Sequence, residues 1–254
     1  MARIIAFANQ KGGVGKTTSA INVASFLALG GKHVLVVDID PQANATQGFG
    51  INPRQLERGI YNVLVGQDNI RNTLFQTELE QLHIAPATIA LAGATIELVN
   101  VAEREYKLDQ ALQSIQMYYD YIIVDCPPSL DLLTLNGLVA ARWIMIPVQC
   151  EYYALEGLGQ LLATIELVQQ NLQSQLQIGG AIVTMFDRRN ALSRQVIQEV
   201  QQHFPFHVFE AVIPRNVTLA EAPSYGKPIA LYEPRSTGGK AYRRLADEII
   251  QRVI

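Results

Sequence analysis

Short β-branched runs alternate with longer segments of helical period along most of the chain. That alternation predicts a parallel sheet covered by helices on both faces. Strands are predicted at Ile4–Ala8, Val34–Asp38, Leu82–Pro86, Tyr121–Asp125, Trp143–Val148, Ile178–Met185 and Val208–Ile213. Most are apolar at every position, as strands buried on both faces should be. After the first strand, Ile21, Ala24, Leu27 and Ala28 recur at helical spacing, and Gly30-Gly31 ends the pattern. Leu108, Ala111, Leu112 and Ile115 mark another helix, and Gln-rich helices follow Leu155 and Leu192. Gly48–Gln81, with scattered Gly, Asn and Gln, reads as short helices joined by loops over the carboxyl end of the sheet. No repeat or linker interrupts the pattern. The expected fold class is α/β, a doubly wound, mostly parallel sheet in one domain over residues 1–254.

At 254 residues, with 49% hydrophobic and 17% charged side chains, the chain can bury the core of such a domain. No apolar run approaches the roughly 20 residues that cross a bilayer, and the N-terminus lacks the pattern of a signal peptide, so a cytoplasmic location is expected. Cys126 and Cys150 are far apart and form no C-x-x-C pair, which reads as two buried thiols rather than a disulfide, zinc or iron–sulfur site. His33, His83, His203 and His207 show no metal spacing. The net charge of −3 is unevenly spread. Residues 1–185 carry 10 Lys/Arg against 16 Asp/Glu, whereas residues 186–254 carry 10 against 7.

The first strand runs into Lys11-Gly12-Gly13-Val14-Gly15-Lys16-Thr17-Thr18, and a helix follows at once. Glycines let the backbone form a concave nest of N–H groups, and the helix N-terminus adds its partial positive charge. That context is a phosphate-binding loop. Lys16 is placed to reach the β- and γ-phosphates and Thr17 to ligate Mg²⁺, with Thr18 as a further phosphate contact. The usual G-x-x-x-x-G-K-[ST] pattern is broken by Gln10, and the pattern present has two lysines five residues apart. Asp125 closes a buried strand at its carboxyl end, where a carboxylate is costly unless it serves a ligand such as Mg²⁺-bound water. Asp40, on a loop beside that edge, can orient or deprotonate the water that attacks the γ-phosphate. Asp38 either joins the outer shell of the metal or caps the loop, and the residues alone leave both open.

These motifs resemble the ParA/MinD family of P-loop ATPases with a deviant Walker A loop, and are most similar to its chromosomal ParA, or Soj-type, branch. Val37-Asp38-Ile39-Asp40-Pro41-Gln42 resembles the first switch, and Ile122-Ile123-Val124-Asp125-Cys126-Pro127-Pro128-Ser129 the Walker B strand and second switch. Pro214-Arg215-Asn216 resembles the segment lining the adenine pocket. The resemblance implies an ATP/ADP and Mg²⁺ cofactor pair, slow ATP hydrolysis with Asp40 as the hydrolytic residue, and an ATP-dependent homodimer. In that dimer Lys11 would reach the nucleotide of the opposite subunit. It further implies non-specific binding of double-stranded DNA, release through a ParB-type centromere-binding partner, and a nucleoid-associated location.

The late basic bias agrees with DNA binding, since Lys/Arg contacts neutralise phosphates. Arg188, Arg189, Arg235, Lys240 and Arg243 are the candidates, with Arg194 and Arg244 nearby. Arg189 matches the arginine that follows Met-Phe-Asp in the family. Thr218 stands where Soj-type chains usually carry another arginine. A MinD-like membrane role would use an amphipathic C-terminal helix. Here Tyr242, Leu245, Ala246, Ile249, Ile250 and Val253 form its apolar face, but Asp247 and Glu248 make the polar face too acidic for lipid, so packing on the core is expected. An ATPase of this type that positions a cargo other than DNA is a further alternative.

Overall fold

The computed structural model describes residues 1–151 and 154–252. Its strands are β1 (Arg3–Phe7), β2 (Val34–Asp38), β3 (Phe75–Gln76), β4 (Leu82–Ala85), β5 (Tyr121–Asp125), β6 (Trp143–Gln149) and β7 (Gln177–Thr184). They form one sheet in the order β3-β4-β2-β5-β1-β6-β7, parallel throughout except for β3, a two-residue antiparallel edge. The helices, in chain order, are α1 (Lys16–Leu29), α2 (Asn44–Gly48), α3 (Ile60–Leu64), α4 (Leu91–Glu97), α5 (Lys107–Gln113) and α6 (Leu132–Ala140). They continue with α7 (Ala154–Asn171), α8 (Ala191–His203), α9 (Val217–Glu221), α10 (Ile229–Tyr232) and α11 (Thr237–Arg252).

The period of two along each strand divides the core into two layers. Ile4, Ala6 and Ala8 point into the layer covered by α3 to α8, while Ile5 and Phe7 point into the layer covered by α1, α10 and α11. In α11, Tyr242, Leu245, Ala246 and Ile249 are buried in that second layer, and the Tyr242 hydroxyl meets Ser19 Oγ of α1 at 3.1 Å. The apolar face of the C-terminal helix is therefore spent on the core; Val253 lies outside the described residues. No helix among the described residues is long and apolar enough to cross a membrane.

One predicted strand is corrected. Val208–Ile213 runs alongside β7 but pairs only at isolated points, through Ala181 N–H to His207 O, Phe209 N–H to Ala181 O and Ile213 N–H to Val183 O. Between these the Glu210 N–H turns away and donates to the Glu248 carboxylate of α11 at 2.9 Å, which interrupts the ladder. Gly180, at φ 156°, bends the facing strand as well. The Gly48–Gln81 segment forms α2's last residue, α3, a short 3₁₀ turn and β3, with the Ile60 N–H tied to Pro86 O beyond the end of β4.

The parallel arrangement brings the ends of β1, β2 and β5 to one edge. Phe7, Asp38 and Asp125 stand level with one another there, so two carboxylates share neighbouring strand ends. Ligands of open α/β sheets bind outside this carboxyl edge.

Candidate active site

The loop between β1 and α1 takes its shape from two residues with left-handed backbone, Gly13 at φ 75° and Gly15 at φ 86°. Other residues would be strained there. Two long-range ties and one local one fix it: Asn9 Nδ2 donates to Pro147 O at 2.7 Å and Thr184 Oγ1 to Val14 O at 2.8 Å, while Lys11 N–H donates to Asn9 Oδ1 at 3.1 Å. No side chain caps α1, so its N-terminal N–H groups face the loop's concavity. Lys16 is buried and donates to Lys11 O at 3.2 Å. Burial pushes its pKa down, against the opposing pull of Asp125, Asp40 and Cys126.

Asp125 is fully buried, and neither carboxylate oxygen has a hydrogen-bond partner among the described residues. The Thr17 hydroxyl is near enough to favour its charged form without forming a hydrogen bond of normal geometry. Burial first, and Asp38 beside it second, raise the Asp125 pKa well above the usual carboxylate range. An unpaired buried carboxylate at the mouth of a phosphate loop, with a threonine hydroxyl alongside, fits a divalent cation. Among the described residues no group of three or more His, Cys, Asp and Glu could hold a metal. Thr17 and Asp125 would thus be joined by phosphate and water oxygens, the manner in which Mg²⁺ is usually held.

Asp38 is engaged differently. Its Oδ2 accepts from the N–H and hydroxyl of Thr46 at 2.8 and 2.7 Å, and its Oδ1 from Asp40 N–H at 3.1 Å. Of the two roles left open by the residues, capping of the loop is the one its hydrogen bonds perform. Burial raises the Asp38 pKa to about 6 despite these donors. Asp40 lies in the loop with Oδ1 accepting from Gln42 N–H at 2.9 Å; burial raises its pKa, and Gln42 and Lys16 oppose that. The segment that starts at Pro127 leads into α6, which Asp131 caps through Leu133 and Thr134 N–H. Helix α6 packs tightly against β5. A Cβ on Gly137 would lie 2.7 Å from Cys126 Sγ and 2.9 Å from Ile39 Cδ1. Cys126 and Cys150 are both buried free thiols.

A family model described as an AAA domain matches residues 2–178. The sporulation initiation inhibitor protein Soj of Bacillus subtilis is 54% identical over 98% of both chains. The chromosome partitioning protein ParA of Myxococcus xanthus is 51% identical, over 99% of this chain and 89% of its own. The chain belongs to the Soj/ParA family of P-loop ATPases. Among solved structures, a Mycobacterium smegmatis protein described as cobyrinic acid a,c-diamide synthase, with bound ADP and magnesium, superposes with a TM-score of 0.88. It is 39% identical and matches over 99% of this chain and 95% of its own.

In this Soj/ParA member, Lys11 is not free. Its Nζ is 2.6 Å from Glu151 Oε2, both side chains being nearly half exposed, and Gln149 holds the other oxygen of Glu151. A cavity of about 400 Å³ opens beside Thr17 and Thr18, walled by Asn44, Leu219, Pro223 and Pro228 among others. Pro214, Arg215 and Asn216, the triplet expected from the resemblance to line the adenine pocket, lie outside this cavity's wall. The Arg215 N–H donates to Phe186 O, and Asn216 is occupied as the N-cap of α9, accepting from Leu219 N–H and donating to Thr237 Oγ1.

Pro214 and Arg215 instead line a cleft of about 900 Å³ with Arg188, Arg189, Lys240 and Arg244, faced by Asp187, Glu210 and Glu248. Arg189 is 91% exposed and pairs with Asp187 at 3.3 Å. Arg235 and Arg243 are not part of this cleft. One residue along α11 from Arg244 is about 100° around the helix, and Arg243 lies there over the Phe26 ring at 5.3 Å. The sequence reading did not single out Thr46, Glu151, Thr184 or Gly137. Each acts through a contact between residues far apart in the chain, a kind of information that motif spacing does not carry.

Proposed function

We propose that this chain is a Mg²⁺-dependent partition ATPase that moves DNA by switching between a monomer and an ATP-bound dimer. The reading is supported by the family and by the junction at the end of β7. There Thr184 holds the phosphate loop through Val14 O, and two residues on Phe186 pairs its backbone with Ile213 and Arg215. The nucleotide loop and the basic cleft thus hang from one strand end, and a shift in the loop can be felt at Arg189.

In the proposed cycle Lys16 and the α1 N-terminus bind the phosphates, and Thr17 and Asp125 would hold Mg²⁺. Bound there, the cation would neutralise charge on the β- and γ-phosphates. Asp40 orients the attacking water and accepts its proton. Lys11 leaves Glu151 and reaches the nucleotide of the second protomer, so the dimer depends on ATP. The dimer presents two copies of the Arg188–Arg189–Arg215–Lys240–Arg244 cleft, whose contacts reinforce each other on one duplex through effective concentration. Turnover is slow on its own, and a ParB-type centromere-binding partner accelerates it. The protein is cytoplasmic and nucleoid-associated, with no stable membrane association, because α11 has its apolar face in the core.

The test is co-sedimentation with random-sequence duplex DNA and, separately, anionic liposomes, with ATP or ADP at low and moderate salt. ATP-dependent DNA binding that fades with salt and weakens in Arg189→Glu is expected. Binding to liposomes alone would replace this reading with a membrane-positioning one.

A further inference from the structure

Thr46 sits where three segments of the chain meet, and it is completely buried. Its hydroxyl donates to Asp38 Oδ2 at 2.7 Å, and Thr46 Oγ1 accepts in turn from Ala87 N–H, just past β4, at 2.9 Å. Its backbone N–H also donates to Asp38 Oδ2, at 2.8 Å. The other oxygen of Asp38 accepts from Asp40 N–H. One carboxylate therefore ties both ends of the loop that carries Asp40, and Thr46 alone extends that tie to β4. Within the loop, Asp40 has only local partners: its carboxylate accepts from Gln42 N–H, and its carbonyl from Ala43 N–H at 2.8 Å. Ala43 is held in a left-handed turn at φ 53°. The upstream end of the loop is anchored by Ile39 N–H to Asp125 O at 3.1 Å. Downstream, Thr46 anchors the loop to β2 through both its backbone N–H and its hydroxyl, and its hydroxyl oxygen adds the tie to Ala87 beyond β4.

We propose that Thr46 is a positioning residue for Asp40, fixing the first switch against β2 and β4 so that the Asp40 carboxylate meets the attacking water. This rests on the reading of Asp40 as the hydrolytic residue. The chemistry is specific to a hydroxyl. A methyl in its place leaves Ala87 N–H buried without an acceptor and takes one donor from Asp38, and neither can be repaired without moving α2. A shift of about 1 Å in a group that aligns a reactant costs on the order of 100-fold in rate. The phosphate loop is not attached to Thr46, so nucleotide binding should be spared.

The experiment compares the wild type with Thr46→Val, Thr46→Ser and Asp40→Ala. It reads kcat and KM for ATP, MgADP affinity, and folding by circular dichroism. Thr46→Val is expected to lower kcat by about 10- to 100-fold, with KM and MgADP affinity within about 2-fold of wild type. Thr46→Ser, which keeps the hydroxyl, is expected to restore most of kcat. If Thr46→Val does not fold, Thr46→Cys, with a similar volume and only a weak S–H donor, is read in its place. A wild-type kcat in Thr46→Val overturns the inference, and so does a loss of kcat matched by an equal loss of MgADP affinity. If Asp40→Ala is inactive while Thr46→Val is active, only the positioning role fails. If Asp40→Ala hydrolyses ATP at the wild-type rate, the hydrolytic assignment and the positioning role fall together.

Discussion

In the proposed ATP-bound dimer, the ion pair between Lys11 and Glu151 sets a measurable threshold for assembly. Lys11 cannot serve the opposite subunit's nucleotide and remain 2.6 Å from Glu151, so each protomer gives up this contact on assembly. The side chains are 44% and 46% exposed, and a surface pair of this kind is worth about 0.2 to 1 kcal/mol. A two-fold dimer breaks two of them, which amounts to about 0.4 to 2 kcal/mol or roughly a 2- to 30-fold change in dissociation constant. Glu151→Gln should therefore strengthen the ATP-bound dimer within that range. The assay is sedimentation velocity with ATP and Mg²⁺ in an Asp40→Ala background, where hydrolysis does not deplete the dimer. The gain should shrink toward nothing in about 1 M salt, where screening acts over about 3 Å. Lys11→Ala, by contrast, should abolish the dimer. Unchanged or weaker dimerisation of Glu151→Gln at low salt would refute the competition between Glu151 and the partner's nucleotide.

Asp125→Asn should make the nucleotide-free protein more stable, by about 1 to 3 kcal/mol, because it removes a buried carboxylate without partners. The same variant should lose the extra thermal stability that MgADP confers, as read by melting with and without Mg²⁺. The pH dependence has an unusual sign. Asp38 and Asp125 titrate above the unfolded carboxylate value of 3.8, Asp38 at about 6, so over this range the folded state holds more protons than the unfolded state. Stability contributed by these groups is present at low pH and lost as pH rises through that window. Melting temperatures of the nucleotide-free protein from pH 4 to 7 should show this fall, and Asp125→Asn should flatten it. Tyr242→Phe should destabilise the fold by about 1 kcal/mol, since Ser19 Oγ loses its buried partner on α11; chemical denaturation checks it.

Much of this site was legible in the sequence because its parts are contiguous. A strand, a glycine nest and a helix in succession specify the phosphate loop, and Asp125 at the end of a wholly apolar strand announces a ligand. The strand boundaries follow for the same reason, since Val34–Asp38 and Tyr121–Asp125 appear where the apolar runs place them. The failures have a common physical origin. Val208–Ile213 has the composition of a strand, but the Glu248 carboxylate captures the Glu210 N–H, a competition between elements 38 residues apart. The motif around Asn216 does not show that its side chain caps α9. Nor does spacing show that Arg243 lies over Phe26, apart from the cleft of Arg188, Arg189 and Lys240. Likewise no spacing places the Thr46 hydroxyl on the Asp38 carboxylate.

The two margins of the sheet bear on how such a protein behaves when crowded. An open strand edge is a template for runaway association, the route to fibres and aggregates. Here one margin is β3, only two residues long and running against its neighbour. The other, β7, is shielded by the 207–214 segment, whose amides are partly diverted toward α11. Neither margin offers an incoming chain a continuous ladder. Molecules held at high local density are then kept from growing into filaments through their sheets.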